Sequence, residues 1–161
     1  MKRDGILNGQ LAGALARLGH TDTVVVCDAG LPIPLGPEVV DLAFRFGVPA
    51  FETVLSGLLE ELVIEGATAA EEVKSNNPVC HELLISQFPQ IGLVPHEELK
   101  LMVGGARLVV RTGEATPYSN VILCCRSSLL GGAHLTLRDS TAPTTADDSS
   151  YDAVTLGNLQ R

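Results

Sequence analysis

Six residues carry side chains suited to moving protons and holding hydroxyl groups: His20, Asp28, His96, Tyr118, Ser119 and Asn120. An imidazole with an unperturbed pKa of about 6.5 gives or takes a proton near neutrality. A carboxylate accepts hydrogen bonds, a phenol offers a hydroxyl, and an amide both donates and accepts. Such a set suits proton transfer on a polyhydroxylated small molecule without a cofactor. His20 follows Gly19, which is placed to stop a helix, and precedes an apolar run, so it falls in a loop at a sheet edge. Asp28 follows that run directly, and ligands of open α/β sheets bind outside the carboxyl ends of strands. His96 lies near the start of a helix in VPHEELK, and Tyr118-Ser119-Asn120 sits between a loop and a strand.

Each of these residues also has an ordinary reading. His20 can face solvent, Asp28 can cap a turn, and His96 can be a first-turn surface residue. Asn and Ser are common in turns. His81, inside a helical stretch, and His134, in a polar tail, read as structural or solvated.

The other familiar chemistries lack their residues. No G-x-x-x-x-G-K-[ST] loop and no G-x-G-x-x-G after a strand is present, so nucleotide binding has no signature. No G-x-S-x-G elbow offers an acyl-transfer nucleophile. The four histidines and four cysteines do not show metal-ligand spacing, so no metal site is expected. With 11 basic and 19 acidic residues the net charge is −8, which argues against nucleic acid and anionic membranes as partners. No apolar run approaches the roughly 20 residues of a membrane span. The start MKRDGILNGQ turns polar before a signal-peptide core forms. Cys27, Cys80, Cys124 and Cys125 form no C-x-x-C pair and read as reduced thiols. The sequence thus predicts a cytoplasmic protein.

The elements that must position the six residues alternate. Leucines at helical spacing over 7–18, capped by Asn8 and stopped by Gly19, predict a helix. TVVVC, 23–27, predicts a strand buried on both faces. A Pro- and Gly-rich loop covers 28–37. Helices are expected over 38–46, 51–61, 69–75 and 78–88, with a turn at 47–49 and a further helix opening at Pro95. Strands are expected over 62–68, 91–94, 106–112 and 120–125, with a loop at 113–119. Hydrophobic residues at 45% and charged residues at 19% support a folded core. The expectation is one α/β domain over 1–129, three layers with a mostly parallel or mixed sheet between helices. The polar stretch 130–161 reads as a flexible tail.

The stretch RLGHTDTVVVCDAGLPIP resembles the N-terminal signature of the sugar mutarotase family that holds D-ribose pyranase and L-fucose mutarotase, the RbsD/FucU family. IEGATAAEEVKSNNP, HELLI, VPHEELK and RTGEATPYSNVILC continue the match in order, over about residues 5 to 125. The unbroken CDAGLPIP favours the ribose branch. The resemblance implies cofactor-free interconversion of the β-pyranose and β-furanose forms of D-ribose. It gives His20 the proton-donating role. Sugar contacts fall to Asp28, His96, Tyr118, Ser119 and Asn120. It also implies a homo-oligomer, commonly a decamer, with sites near subunit boundaries. A mutarotase for another aldose such as L-fucose, or a non-catalytic sugar-binding accessory of ribose uptake, are the alternatives.

Overall fold

A computed structural model of the chain describes residues 2–126. The tail expected over 130–161, with His134, lies outside the described residues. Six strands form one mixed sheet in the order β2-β5-β1-β6-β3-β4. Their ranges are β1 Thr23–Cys27, β2 Glu38–Asp41, β3 Ile64–Ala70, β4 Gly92–Val94, β5 Leu108–Arg111 and β6 Val121–Cys125. β1, β2 and β5 pair in parallel, and so do β3 and β4. β6 runs antiparallel to both of its neighbours, β1 and β3. The carboxyl ends of five strands therefore gather along one edge of the sheet, together with the start of β6.

The helices are α1 Gly9–Leu15, α2 Phe51–Glu61, α3 Val73–Asn76, α4 Pro78–Gln87 and α5 His96–Val103. α1 begins where expected, because the Asn8 side chain accepts the Leu11 N–H. It ends at Leu15, short of Gly19. α4 begins at Pro78, whose missing N–H costs nothing at a first turn, and Asn77 caps it by accepting the Cys80 N–H.

Side-chain alternation along β1 divides the core. Val24 and Val26 pack with Leu11 and Leu15 of α1, Leu55 and Leu58 of α2 and Leu84 of α4. Val25 and Cys27 pack on the other face with Leu99 and Val103 of α5. Helices thus cover both faces, giving the three layers expected from the alternation of helices and strands.

Two expected helices are corrected. Residues 38–46 hold strand β2 and irregular chain instead. Val39 and Val40 are β-branched, and Val40 is buried against β5, where Val39 and Val40 register with Val109 and Val110. Part of the segment's apolar surface faces solvent: Phe44 is 77% exposed and Phe46 82%. In 69–75, Ala69 and Ala70 belong to β3, and the helix is a single turn over Val73–Asn76. Alanine's helix propensity yields there to the ladder with β4 and β6.

Candidate active site

Along the edge where the strands end, a cavity of about 500 Å³ is lined by Asp28, Leu31, Phe46, His96, Glu114, Tyr118 and Asn120, among others. Four of the six residues singled out in the sequence meet here, from three separate places in the chain. Asp28 leaves β1, His96 opens α5 just after β4, and Tyr118 and Asn120 precede β6.

Asp28 and Asn120 form the floor. Asp28 is 7% exposed and Asn120 1%. The Asn120 Nδ2 donates to Asp28 Oδ2 at 2.8 Å, and the Asp28 backbone N–H donates to Asn120 Oδ1 at 3.0 Å. The amide is thereby oriented at both ends. Asp28 Oδ1 also accepts the Gly30 N–H at 2.9 Å, which turns the chain away from β1. Removing either partner strands the other's polar atoms in a buried place, at a cost of about 1–3 kcal/mol.

His96 and Tyr118 form a wall. Their rings meet edge to face, 5.1 Å between centroids and 71° between planes. Both oxygens of Glu72 lie within 3.1 Å of the His96 backbone N–H, so a carboxylate at the end of β3 caps α5, where Pro95 has no side chain to offer. His96 Nδ1 is buried and has no hydrogen-bond partner. An unsatisfied buried nitrogen is uncommon and calls for an explanation, a catalytic role being one. Tyr118 has φ 64°, a left-handed conformation unusual for a side chain of its size.

Glu114, given no role from the sequence, stands between this cavity and a second of about 320 Å³. Burial alone would raise its carboxyl, but hydrogen bonds from Thr116, Phe51 and Ala115 outweigh that and hold it below the usual glutamate range. The Cys27 thiol beneath the floor is pushed up to about 12 by burial and by the Asp28 charge, so it stays protonated and unreactive at neutral pH.

The remaining two expected residues lie elsewhere. Ser119 faces the second cavity, where its Oγ accepts from Asn77 Nδ2 at 2.9 Å. Asn77 also donates to the Pro117 carbonyl at 3.0 Å, so this pair moors the loop to α4. His20 is exposed on the opposite edge of the sheet, before β1. The neighbouring Thr21 donates its N–H to the carbonyl of Cys125, the last residue of β6. The five residues of β1 alone separate His20 from Asp28 by about 15 Å. Within one chain His20 does not reach the cavity.

Glu72, Asn77 and Glu114 were missed because each also holds a segment distant in sequence. Only the position of Asn77 before a proline gave a local signal, and that signal named a helix cap. Among the described residues, no group of three His, Cys, Asp or Glu side chains is placed to hold a metal ion, and no helix is long and apolar enough to cross a membrane.

A profile of the RbsD / FucU transport protein family matches residues 1–126. D-ribose pyranase 1 of Rubrobacter xylanophilus is 74% identical over 125 residues, covering 78% of this chain and 97% of that one. D-ribose pyranase of Streptomyces avermitilis is 66% identical over the same length, with the same coverage. Among solved structures, Bacillus subtilis RbsD complexed with D-ribose superposes with a TM-score of 0.75 at 45% identity, over 79% of this chain and 98% of that one. The Streptococcus pneumoniae fucose mutarotase shares the fold, with a TM-score of 0.63 at 17% identity over 75% and 94% of the two chains.

Proposed function

The chain belongs to the RbsD / FucU transport protein family, and on that premise we propose that it interconverts the pyranose and furanose forms of D-ribose. The observation that carries this reading is the cavity at the strand ends. It pairs a buried carboxylate–amide floor with an imidazole and a phenol on its wall. That is a surface for hydroxyl groups and for protons, of a volume ordinary for a small ligand.

The reaction opens one hemiacetal and closes another. A proton is delivered to the ring oxygen while another leaves the anomeric hydroxyl, and the bond from C1 to the ring oxygen breaks. The open aldehyde rotates. A different hydroxyl then attacks C1, gives up its proton, and the carbonyl oxygen regains one. Protons balance, no electrons are exchanged, and one imidazole serves both directions near neutral pH. In this reading Asp28 and Asn120 hold sugar hydroxyls, Tyr118 packs on or bonds the ring, and His96 binds a hydroxyl or takes the complementary proton. Ser119 acts only by mooring the loop.

His20 supplies the proton from a neighbouring copy of the chain. Two features support this. His20 and the cavity occupy opposite edges of one subunit. Phe46, at 82% exposure, forms part of the cavity wall, and the exposed Leu35 and Phe44 flank the edge strand β2 in the chain. Exposed aromatic side chains of this kind mark a protein interface. A ring-shaped homo-oligomer brings unlike edges of successive subunits together, and a decamer built from two pentamers contains such rings. The setting is cytoplasmic, in keeping with four free cysteines.

Saturation-transfer NMR on D-ribose tests the function. The full chain should raise exchange between pyranose and furanose signals well above buffer, and more for ribose than for L-fucose and other aldoses. Exchange no faster than buffer contradicts the reading, and a preference for another aldose reassigns the substrate.

A further inference from the structure

We propose that Glu114 is a positioning residue of the sugar cavity: it fastens the loop that carries Tyr118 and Asn120 to the start of α2 and to the segment after Asp28, and so sets sugar affinity. The inference rests on the sugar-isomerase reading above and adds a residue to it.

Three segments converge on this one side chain and its backbone. Oε1 accepts the N–H groups of Ala115 and Thr116, both at 3.0 Å, which coils the loop that leads to Tyr118. Oε2 accepts, at 3.5 Å, from the N–H of Phe51, the first residue of α2. The Glu114 carbonyl accepts the Ala29 N–H at 2.9 Å, one residue beyond Asp28. Its own N–H donates to Thr112 Oγ1 at 3.2 Å, and that hydroxyl in turn donates to the Cys27 carbonyl at 2.9 Å.

Each connection serves the floor or the wall. Two lone pairs of Oε1 are filled by two backbone donors, which leaves that oxygen no capacity for a sugar hydroxyl. Oε2 faces the unpaired N–H groups at a helix N-terminus, a favourable place for a negative charge. The preceding residue reinforces the junction. Gly113 donates its N–H to the Pro49 carbonyl at 2.9 Å, and a Cβ there would collide with the carbonyl oxygens of Val48 and Arg45. The chain is thus pressed against the turn before α2 at the very point where Glu114 reaches across. Loss of the carboxylate frees the loop carrying Tyr118 and Asn120 while leaving the imidazoles in place.

The test is ribose exchange by NMR at varied sugar concentration, with wild type, Glu114→Ala and Glu114→Gln, each checked by thermal melting. Glu114→Ala should raise KM about tenfold with kcat changed by less than about threefold. Glu114→Gln keeps one acceptor oxygen and should recover part of that affinity. A variant that merely unfolds more readily lowers the amount of active enzyme and so kcat, not KM. An unchanged KM in Glu114→Ala overturns the proposal, as does a loss confined to kcat. If Glu114→Ala does not fold, Glu114→Gln decides the matter by the same measure, and a wild-type KM there overturns it. If wild type itself gives no exchange, the isomerase reading fails. Calorimetric titration of ribose into wild type and Glu114→Gln then tests the wall directly, with equal affinity as the overturning result.

Discussion

The two edges of the central sheet differ in what they hold. At one, five strand ends and the start of β6 gather Asp28, His96, Tyr118 and Asn120 around a cavity, with hydrogen bonds that orient the carboxylate and amide. At the other, His20 stands exposed in a short turn between α1 and β1. Each edge carries one non-glycine residue in the left-handed region, Tyr118 at φ 64° and Thr21 at φ 69°. For a β-branched threonine that conformation is a marked exception, and it is held by the bond from its N–H to Cys125 and by the clamp of Asp22 on the Gly19 N–H at 2.7 Å. Both edges are therefore built, but only one gathers these four residues around a cavity. On the proposed reading, a single chain supplies the sugar-holding half of a proton-transfer site, and a second copy supplies the other half.

The largest effect that sharpens this contrast comes from the edge that carries His20. His20→Ala should slow ribose exchange by ~10²–10⁴-fold, the usual contribution of one acid/base group. Because the residue is exposed, the melting temperature should stay near wild type. Wild-type exchange in that variant removes His20 from the mechanism. Next comes the contact that would join unlike edges. Phe44→Asp places a charge on an exposed ring position outside the cavity lining. It should leave the core intact, shift the protein to smaller species in analytical ultracentrifugation, and lower exchange in step. An unchanged assembly with full activity would show that the β2 side is not an interface.

At the cavity edge, Asn120→Ala should cost about 1–3 kcal/mol of stability, because Asp28 loses its buried donor, and ribose affinity should fall with it. Denaturant unfolding and calorimetry read the two losses. The smallest effect is in acid. Glu114 is held below its ordinary value near 4.5, so the unfolded chain takes up its proton first as pH falls. Its stabilisation is full above that ordinary value and fades as pH drops through the lowered one. Glu114→Gln should flatten this limb of the stability curve, the part that lies below the ordinary glutamate value. An identical acid limb in the variant would mean that the carboxylate is not held as described.

The same contrast explains what was legible in the sequence. TVVVC named its strand because β1 is buried on both faces, and the Asp that follows it fell at a favoured ligand position by topology alone. Asn8 and Asn77-Pro78 named helix starts through local capping. The helix expected over 38–46 is strand β2 and irregular chain, and only pairing with β5, some 70 residues later, shows this. The Asp28–Asn120 pair spans 92 residues and the Glu72–His96 cap spans 24, separations that no spacing rule reads. His20 was expected in a loop that can reach a cleft. The loop is there, but the cleft on its own chain opens at the far edge, because β1 points away from it.

The most direct measurement mixes two inactive variants. His20→Ala keeps an intact cavity and Asp28→Ala keeps an intact imidazole at the other edge. Each alone should give ribose exchange near the buffer rate. After the two are unfolded together and refolded, mixed oligomers should recover part of the wild-type exchange, since some sites then combine an unaltered cavity with an unaltered His20. No recovery, in mixtures shown by mass spectrometry to contain both chains in one oligomer, would contradict a site shared between copies.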